Sequence, residues 1–250
     1  MTQAAQLIAV IYEDTELILL DKAAGMPVFP QRKGEDDQKT VRHWLCAHYP
    51  EQKRIVPFEE AGIVHRLDND TSGILVVGKT QLAYDFLRKI WNTLQVTKEY
   101  GALVLGAITS PLLINLSIAH HPSRHNKMVV CQTEQKTLEL KGRQAYTKVE
   151  RLGLYQDKRG YNYSLVSVEI KTGVRHQIRA HLAGQGHPLA GDGLYQNSLK
   201  KKQDLLGMPR HFLHLRRIQL PHPMTGEKMA WVTEFPHDLM NVLNQLRRVS

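Results

Sequence analysis

Residues 65–73 read HRLDNDTSG, and within this run Asp68 is the carboxylate best placed to do chemistry. It follows the apolar Leu67 directly, with His65 and Arg66 just before it and a Thr-Ser-Gly turn just after it. Basic neighbours favour the ionised form of such an acid, which is how a nucleophile or a base is prepared. The ILVV that follows, residues 74–77, has the pattern of a buried strand and would fix the turn to a rigid sheet. Asp70 lies two positions on and reads as a turn residue.

A second cluster, KTGVRHQIRAHLAGQGHPLAGDGLY, spans 171–195. On a helix beginning near Val174, residues Arg175, Ile178 and Leu182 lie along one side, with Ile178 and Leu182 as core contacts and Arg179 one step around. Arg179 is then able to point from the sheet edge toward a carboxylate. The competing reading is a solvated basic helix anchored by its two apolar residues. GHPLAGD closes the cluster as a tight turn.

Two patterns suggest chemistry that their physics disfavours. GILVVGKT, 73–80, matches the phosphate-loop pattern letter for letter. Ile74, Leu75, Val76 and Val77 are bulky or β-branched and want an extended strand, whereas a phosphate loop must turn its N–H groups inward. The 13 histidines include the close pairs His211 with His214, His120 with His121, and His176 with His181. Their spacings separate the rings on a strand or helix, and no HExxH or cysteine pairing accompanies them, so no metal site is expected.

These clusters need elements to hold them, and the chain reads as alternating strands and helices without repeats. Segments 7–13 and 16–22 form an opening hairpin. The glycine and prolines of 22–30 mark a turn, and QRKGEDDQ after them a solvated loop. Thr40 caps a helix over 40–49, and Thr80 caps another in which Leu82, Phe86, Ile90 and Leu94 define the buried face. Strands are expected at 73–78, 96–106, 145–152, 163–170 and 211–220, and helices at 175–183 and 236–248. Residues 107–143 are polar and basic with little periodicity, which suggests a protruding loop or arm on the core. Antiparallel and crossover connections are mixed, so the class is α+β, with a largely antiparallel central sheet and flanking helices, as one domain over 1–250.

With 250 residues, 42% apolar and 23% charged, the chain can bury a substantial core. Cys46 and Cys131 are too few for a disulfide framework, which points to a reducing compartment. No apolar run reaches the roughly 18 residues of a membrane span, and MTQAAQLIAVIYED lacks the features of a secretion signal, so cytoplasmic residence is expected. Thirty-three Lys and Arg against 24 Asp and Glu give a net charge of +9, which makes a nucleic acid the first partner to consider. The positive charge gathers at 124–127, 136–143, 158–159, 175–179, 200–202 and 216–217.

HRLDNDTSGILVVGKT resembles the catalytic signature of the RluA-type pseudouridine synthases, HRLD-x-x-TSG. DKAAGMPV (21–28), TKEYGALVLG (97–106), RHNKMVV (124–130) and GRQAYT (142–147) are similar to further family elements. So are the 171–195 block and LHLRRIQLPHPMTGE (213–227), all in family order. The resemblance implies the pseudouridine synthase catalytic fold and a cofactor-free, metal-free isomerisation of uridine in RNA. The base is detached from ribose carbon 1, turned, and rejoined through ring carbon 5.

By position, Asp68 matches the essential aspartate, either attacking the sugar or promoting elimination. Tyr100 matches the tyrosine that stacks on the uracil, although the residue type alone would suggest a core strand aromatic. Arg179 matches the arginine that pairs with the catalytic carboxylate, and Arg66 the residue that fills the space of the extruded base. Ile178 packs under the uracil, while His65, Thr71, Lys98, Arg175, Arg124 and Lys127 are expected to contact substrate.

Val174 stands where relatives carry arginine, with Arg175 next, and DKAAG replaces the usual DKPAG. Many relatives carry an amino-terminal RNA-binding domain. This chain begins with catalytic-domain strands, so the basic cleft and the 107–143 arm are expected to hold a tRNA stem-loop or ribosomal RNA. A monomer is expected. The reading from a different class is an RNA-binding or RNA-chaperone protein that keeps the fold without turnover.

Overall fold

The computed structural model describes residues 8–30 and 40–249. The loop read at QRKGEDDQ lies outside them. Two compact units are present: one takes the chain to Val96 and returns with Leu215–Glu234, and the other takes Thr97–His214 and the stretch from Phe235.

The first unit opens with the expected hairpin, β1 (Ile8–Glu13) and β2 (Leu17–Lys22), paired antiparallel. Helix α1 (Val41–His48) follows, with the Thr40 side chain accepting from the His43 N–H, and a short 3-10 turn occupies Pro50–Arg54. Strand β3 (Ser72–Gly78) is buried at every position, and α2 (Gln81–Ile90) starts at Thr80, whose side chain accepts from the Ala83 N–H. The phosphate-loop match is therefore a core strand. A Cβ on Gly73 would meet the Leu215 backbone at 2.4 Å and one on Gly78 the Tyr84 backbone at 2.6 Å, so close packing accounts for both glycines.

The buried face of α2 differs from the expected one. Leu82 and Leu94 are 77% and 80% exposed, Phe86 is half-buried, and Ala83, Tyr84, Leu87 and Ile90 face the core. A four-residue spacing drifts about 40° per step around a helix of 3.6 residues per turn, and Leu94 lies beyond the helix end. Leu87→Ala is expected to cost about 2–5 kcal/mol, and Leu82→Ala less than about 0.5 kcal/mol, as read by urea denaturation. Equal costs would return Leu82 to the core.

The second unit holds β4 (Thr97–Leu105), β5 (Leu112–Asn115), β6 (Ser117–His121), β7 (Arg124–Cys131), α3 (Glu134–Glu139), β8 (Tyr146–Gln156), β9 (Asn162–Ile170), α4 (Gln177–Gly184) and α5 (Ser198–Gln203). The chain returns to the first unit through β10 (Leu213–Pro221) and β11 (Lys228–Val232). It ends in the second unit with α6 (His237–Asn244) and β12 (Arg247–Arg248), where a helix was expected to continue to 248. In the first unit the strand order is β1-β2-β3-β10, with β11 on β10. In the second it is β4-β9-β8-β12 with β5 on β8, and β6-β7 form a separate two-stranded sheet. The antiparallel pairing of β1 with β2, β2 with β3, β4 with β9 and β8 with β9 bears out the α+β class.

Residues 107–143, read as a loop or arm, fold instead into three strands and a helix. The hairpin β6–β7 buries Ile118, Met128 and Val130 in a cluster with Ala145, Val174, Ala180 and Tyr195. Arg124, His125 and Asn126 at the start of β7 are exposed, which is why apolar periodicity is weak there. Val174, at the position where the family resemblance implies arginine, is part of this core.

Candidate active site

Asp68 lies at the end of a segment pinned to β3. Ile63 bridges Val77, the Val64 N–H donates to the Val76 carbonyl, and His65 Nε2 accepts from the Val76 N–H at 3.1 Å. The His65 ring stacks on Trp91 at 4.2 Å between centroids, and Leu67 is buried. His65, expected to touch substrate, also braces the strand through these contacts. After Leu67 the chain turns, and the Thr71 N–H closes the turn on the Asp68 carbonyl at 3.0 Å. Thr71 and Ser72 are buried, Arg66 and Asp70 are exposed, and Asp68 itself is half-buried.

Sequence reading did not single out the residue that locks this turn. Lys22 is fully buried, and its ammonium donates to the carbonyls of Ala23, Met26 and Asn69 at 2.9, 2.9 and 3.0 Å. The Gly25 N–H adds a bond to the Asn69 carbonyl. The DKAAG turn and the Asp68 turn are therefore joined through one buried cation, and its charge-assisted bonds are the strong kind. The signal available was the Asp21-Lys22 pair ending a run of four apolar residues.

In the second unit, Lys98 and Tyr100 lie two apart on β4 and share a sheet face. Lys98 pairs with Ile170 and Ile170 with Thr147, so that face runs across β4, β9 and β8 beneath α4. Thr147 Oγ1 accepts from Gln177 Nε2 at 3.0 Å and hydrogen-bonds His181 Nδ1 at 2.8 Å, while His181 Nε2 bonds the Leu116 carbonyl. Burial holds the His181 imidazole below its ordinary pKa. Tyr100 is 8% exposed, so little of its ring meets solvent.

Helix α4 is not a solvated basic helix: every residue from Gln177 to Leu182 is buried. It starts at Gln177, later than expected, because His176 adopts a left-handed conformation (φ 54°) and Gln177 folds back on the preceding loop. Gln177 Oε1 accepts from the Val174 N–H and the Thr172 hydroxyl, and its Nε2 donates to the Tyr146 carbonyl. Ile178 and Leu182 are core residues as read, whereas Arg175 is exposed ahead of the helix.

Arg179 makes a two-pronged ion pair with Asp192, Nε to Oδ2 at 2.7 Å and Nη2 to Oδ1 at 2.9 Å. Asp192 also accepts from the Leu194 and Tyr195 N–H groups. Burial alone would raise its pKa. The Arg179 bonds and charge, with His211 and the Leu194 amide, hold it below the usual carboxylate range. Asp192 was hidden in the sequence inside GHPLAGD, which read only as a turn. The Arg179 guanidinium and the Lys127 ammonium each lie 5.1 Å from the Tyr195 ring centroid. The Tyr195 hydroxyl accepts from the Met128 N–H and hydrogen-bonds His176 Nδ1. Tyr195 thereby joins the basic hairpin to the Arg179–Asp192 pair.

Burial pushes the Lys98 amine from 10.5 down to about 8. Between about pH 8 and 10.5 the unfolded chain binds a proton that the folded chain has released, so stability rises with pH across this window. Lys98→Met should flatten that rise in urea denaturation curves. Parallel curves for variant and parent would show that Lys98 titrates normally.

No group of three or more potential metal-ligating side chains occurs among the described residues, and no helix among them is long and apolar enough to cross a membrane.

The RNA pseudouridylate synthase family matches residues 16–184, and the chain belongs to it. It is therefore an isomerase that makes pseudouridine in RNA. Ribosomal large subunit pseudouridine synthase D of Pseudomonas aeruginosa is 34% identical, with 96% of this chain and 72% of that protein covered. The synthase of the same name in Haemophilus influenzae is 32% identical over 95% of this chain and 70% of its own length. An uncharacterized RNA pseudouridine synthase of Synechocystis is 34% identical, over 96% and 69%. Among solved structures, human RNA Pseudouridylate Synthase Domain Containing 1 aligns with a TM-score of 0.73 at 21% identity, over 97% of this chain and 89% of that one. Human RNA Pseudouridylate Synthase Domain Containing 4 gives 0.70 at 21%, over 96% and 94%. These two show a shared fold. The family match favours catalysis over a fold kept only for RNA binding.

Proposed function

We propose that this enzyme isomerises uridine in ribosomal RNA of the large subunit, with Asp68 as the carboxylate that acts on the ribose. The observation carrying the Asp68 assignment is its turn: a half-buried acid on a loop locked by the buried Lys22 ammonium, within HRLDNDTSG. Rigid presentation of one carboxylate is what either attack on the sugar or elimination needs. Tyr100 supplies the ring for the uracil, and Lys98 lies beside it on the same strand face. In this reading Ile178 packs against the base, Arg66 fills the space it leaves, and Arg179 is the arginine assigned to the catalytic carboxylate. Arg124, Lys127 and Arg175 hold phosphates, and Thr71 fixes the turn at Asp68. Large-subunit RNA is favoured over tRNA by the names of the relatives, and such a substrate fits cytoplasmic residence.

Mapping pseudouridine across total RNA from cells with and without the gene tests this reading. One or a few large-subunit positions should lose the modification. Loss confined to tRNA would reassign the target, and no loss anywhere would contradict the reading.

A further inference from the structure

Three basic clusters distant in sequence meet in the second unit. Arg124 and Lys127 lie on β7, Lys158 and Arg159 on the turn between β8 and β9, and Lys200 to Lys202 on α5. Helix α5 is tied to both of the other segments. Arg159 Nη2 donates to the Gln203 carbonyl at the end of α5 at 2.7 Å, and the Tyr161 hydroxyl donates to Gln203 Oε1. On the other side Asp204 accepts from the Gly191 N–H and from Gln196 Nε2 at 2.7 and 2.6 Å. That fixes α5 to the loop bearing Tyr195, whose ring lies under Lys127. Lys127 is held below the ordinary lysine range first by burial, then by Arg124, with Lys201 also contributing.

The acids nearby do not neutralise this surface. Asp157 offsets Arg159 and leaves Lys158 as the uncancelled charge of that turn, while the single charge of Asp204, whose Oδ2 accepts the bonds just described, stands against three lysines on α5. Lys201, Lys202, Lys158 and Arg124 remain exposed.

We propose that α5 and the β8–β9 turn extend the basic hairpin into one track for an RNA backbone, holding a duplex that flanks the target uridine. The track takes phosphates and reads no bases, since lysines on a short helix act as point charges. Leu199 and Leu205 are exposed beside it, which raises an anionic membrane as a competitor. A helix of six residues is too short to bury an amphipathic face in a bilayer, and the track runs on from the hairpin of an RNA-modifying enzyme. The inference rests on RNA being the substrate.

The test compares binding of the whole protein to two transcribed RNAs, a large-subunit stem-loop with a long stem and the same loop on a minimal stem, over a salt series. For the long-stem RNA, replacing Lys200, Lys201 and Lys202 together with glutamine should reduce the slope of log affinity against log salt by roughly 2–3. The minimal RNA should show little change. Lys158→Gln, on a different element, should lower the long-stem slope by about one. A charge-matched control replaces Lys53, Arg54 and Lys89 with glutamine and should leave it unaltered.

An unchanged slope in the triple variant overturns the proposal, and so does an equal drop in the control. Weakened binding to phosphatidylserine vesicles with RNA affinity intact would overturn it in favour of a membrane. Product formation by the unaltered enzyme is assayed on the same RNAs. Absence of pseudouridine there would count against the assigned target, while the salt slope judges the track separately.

Discussion

Asp68→Asn should lower pseudouridine formation by on the order of a thousandfold or more, as removal of a group that acts directly on substrate does. The substitution keeps the shape of the side chain and removes its charge. The turn should survive, because the bond of the Thr71 N–H to the Asp68 carbonyl and that of the Lys22 ammonium to the Asn69 carbonyl do not use the replaced oxygen. RNA affinity and unfolding midpoint are therefore expected to stay close to those of the parent. Asp68→Glu keeps the charge and displaces it by one methylene. A misplacement of about 1 Å can cost a hundredfold in rate, so this variant should also be severely impaired. Carbodiimide primer extension measures the product and filter binding the affinity. Unimpaired modification by Asp68→Asn would remove Asp68 from the mechanism.

The second large effect is at Arg179. Arg179→Met leaves the Asp192 carboxylate buried without its cation, and breaking such a pair costs about 3–5 kcal/mol. That is a large share of the roughly 5–15 kcal/mol that holds a typical domain. The deficit should depend on pH. In the parent the folded-state pKa of Asp192 is depressed, so the pair's contribution is complete above the ordinary carboxylate range and is lost as pH falls through the folded value. In the variant, burial without the guanidinium raises that pKa, and protonation relieves the unpaired charge. Denaturation between pH 4 and 7, about the range over which a buried carboxyl titrates, should show the largest deficit at neutral pH and a smaller one in acid. A deficit independent of pH would contradict this account. Arg179→Met with Asp192→Leu should recover stability without recovering activity, separating the fold from the chemistry.

Most of the fold was legible because its elements carry strong local signals. Thr40 and Thr80 mark helix starts, the β1–β2 hairpin alternates around a short acidic turn, and the run 72–78 is apolar enough to be buried on both faces. The misreadings have physical causes. A count of every fourth residue put Leu82 and Leu94 in the core, where the true helical stripe passes through Ala83, Leu87 and Ile90. The β6–β7 hairpin hides because one side packs on α4 and the other carries charge. Helix α4 is buried around most of its surface, and its polar residues are satisfied by partners distant in sequence, Thr147, Leu116 and Asp192, which local pattern cannot reveal. Asp68 could be singled out from its neighbours, while Lys22, Asp192 and Tyr195 work through contacts that exist only once the chain is folded.

Uridine loses its carbon-5 hydrogen when the base is rejoined to ribose through that carbon, so RNA transcribed with 5-tritiated uridine reports the reaction itself. The purified enzyme, in EDTA and with no added cofactor, should release tritium to water in amounts equal to the pseudouridine formed in large-subunit RNA. A folded protein that binds this RNA and releases no tritium would contradict the proposed reaction on that substrate.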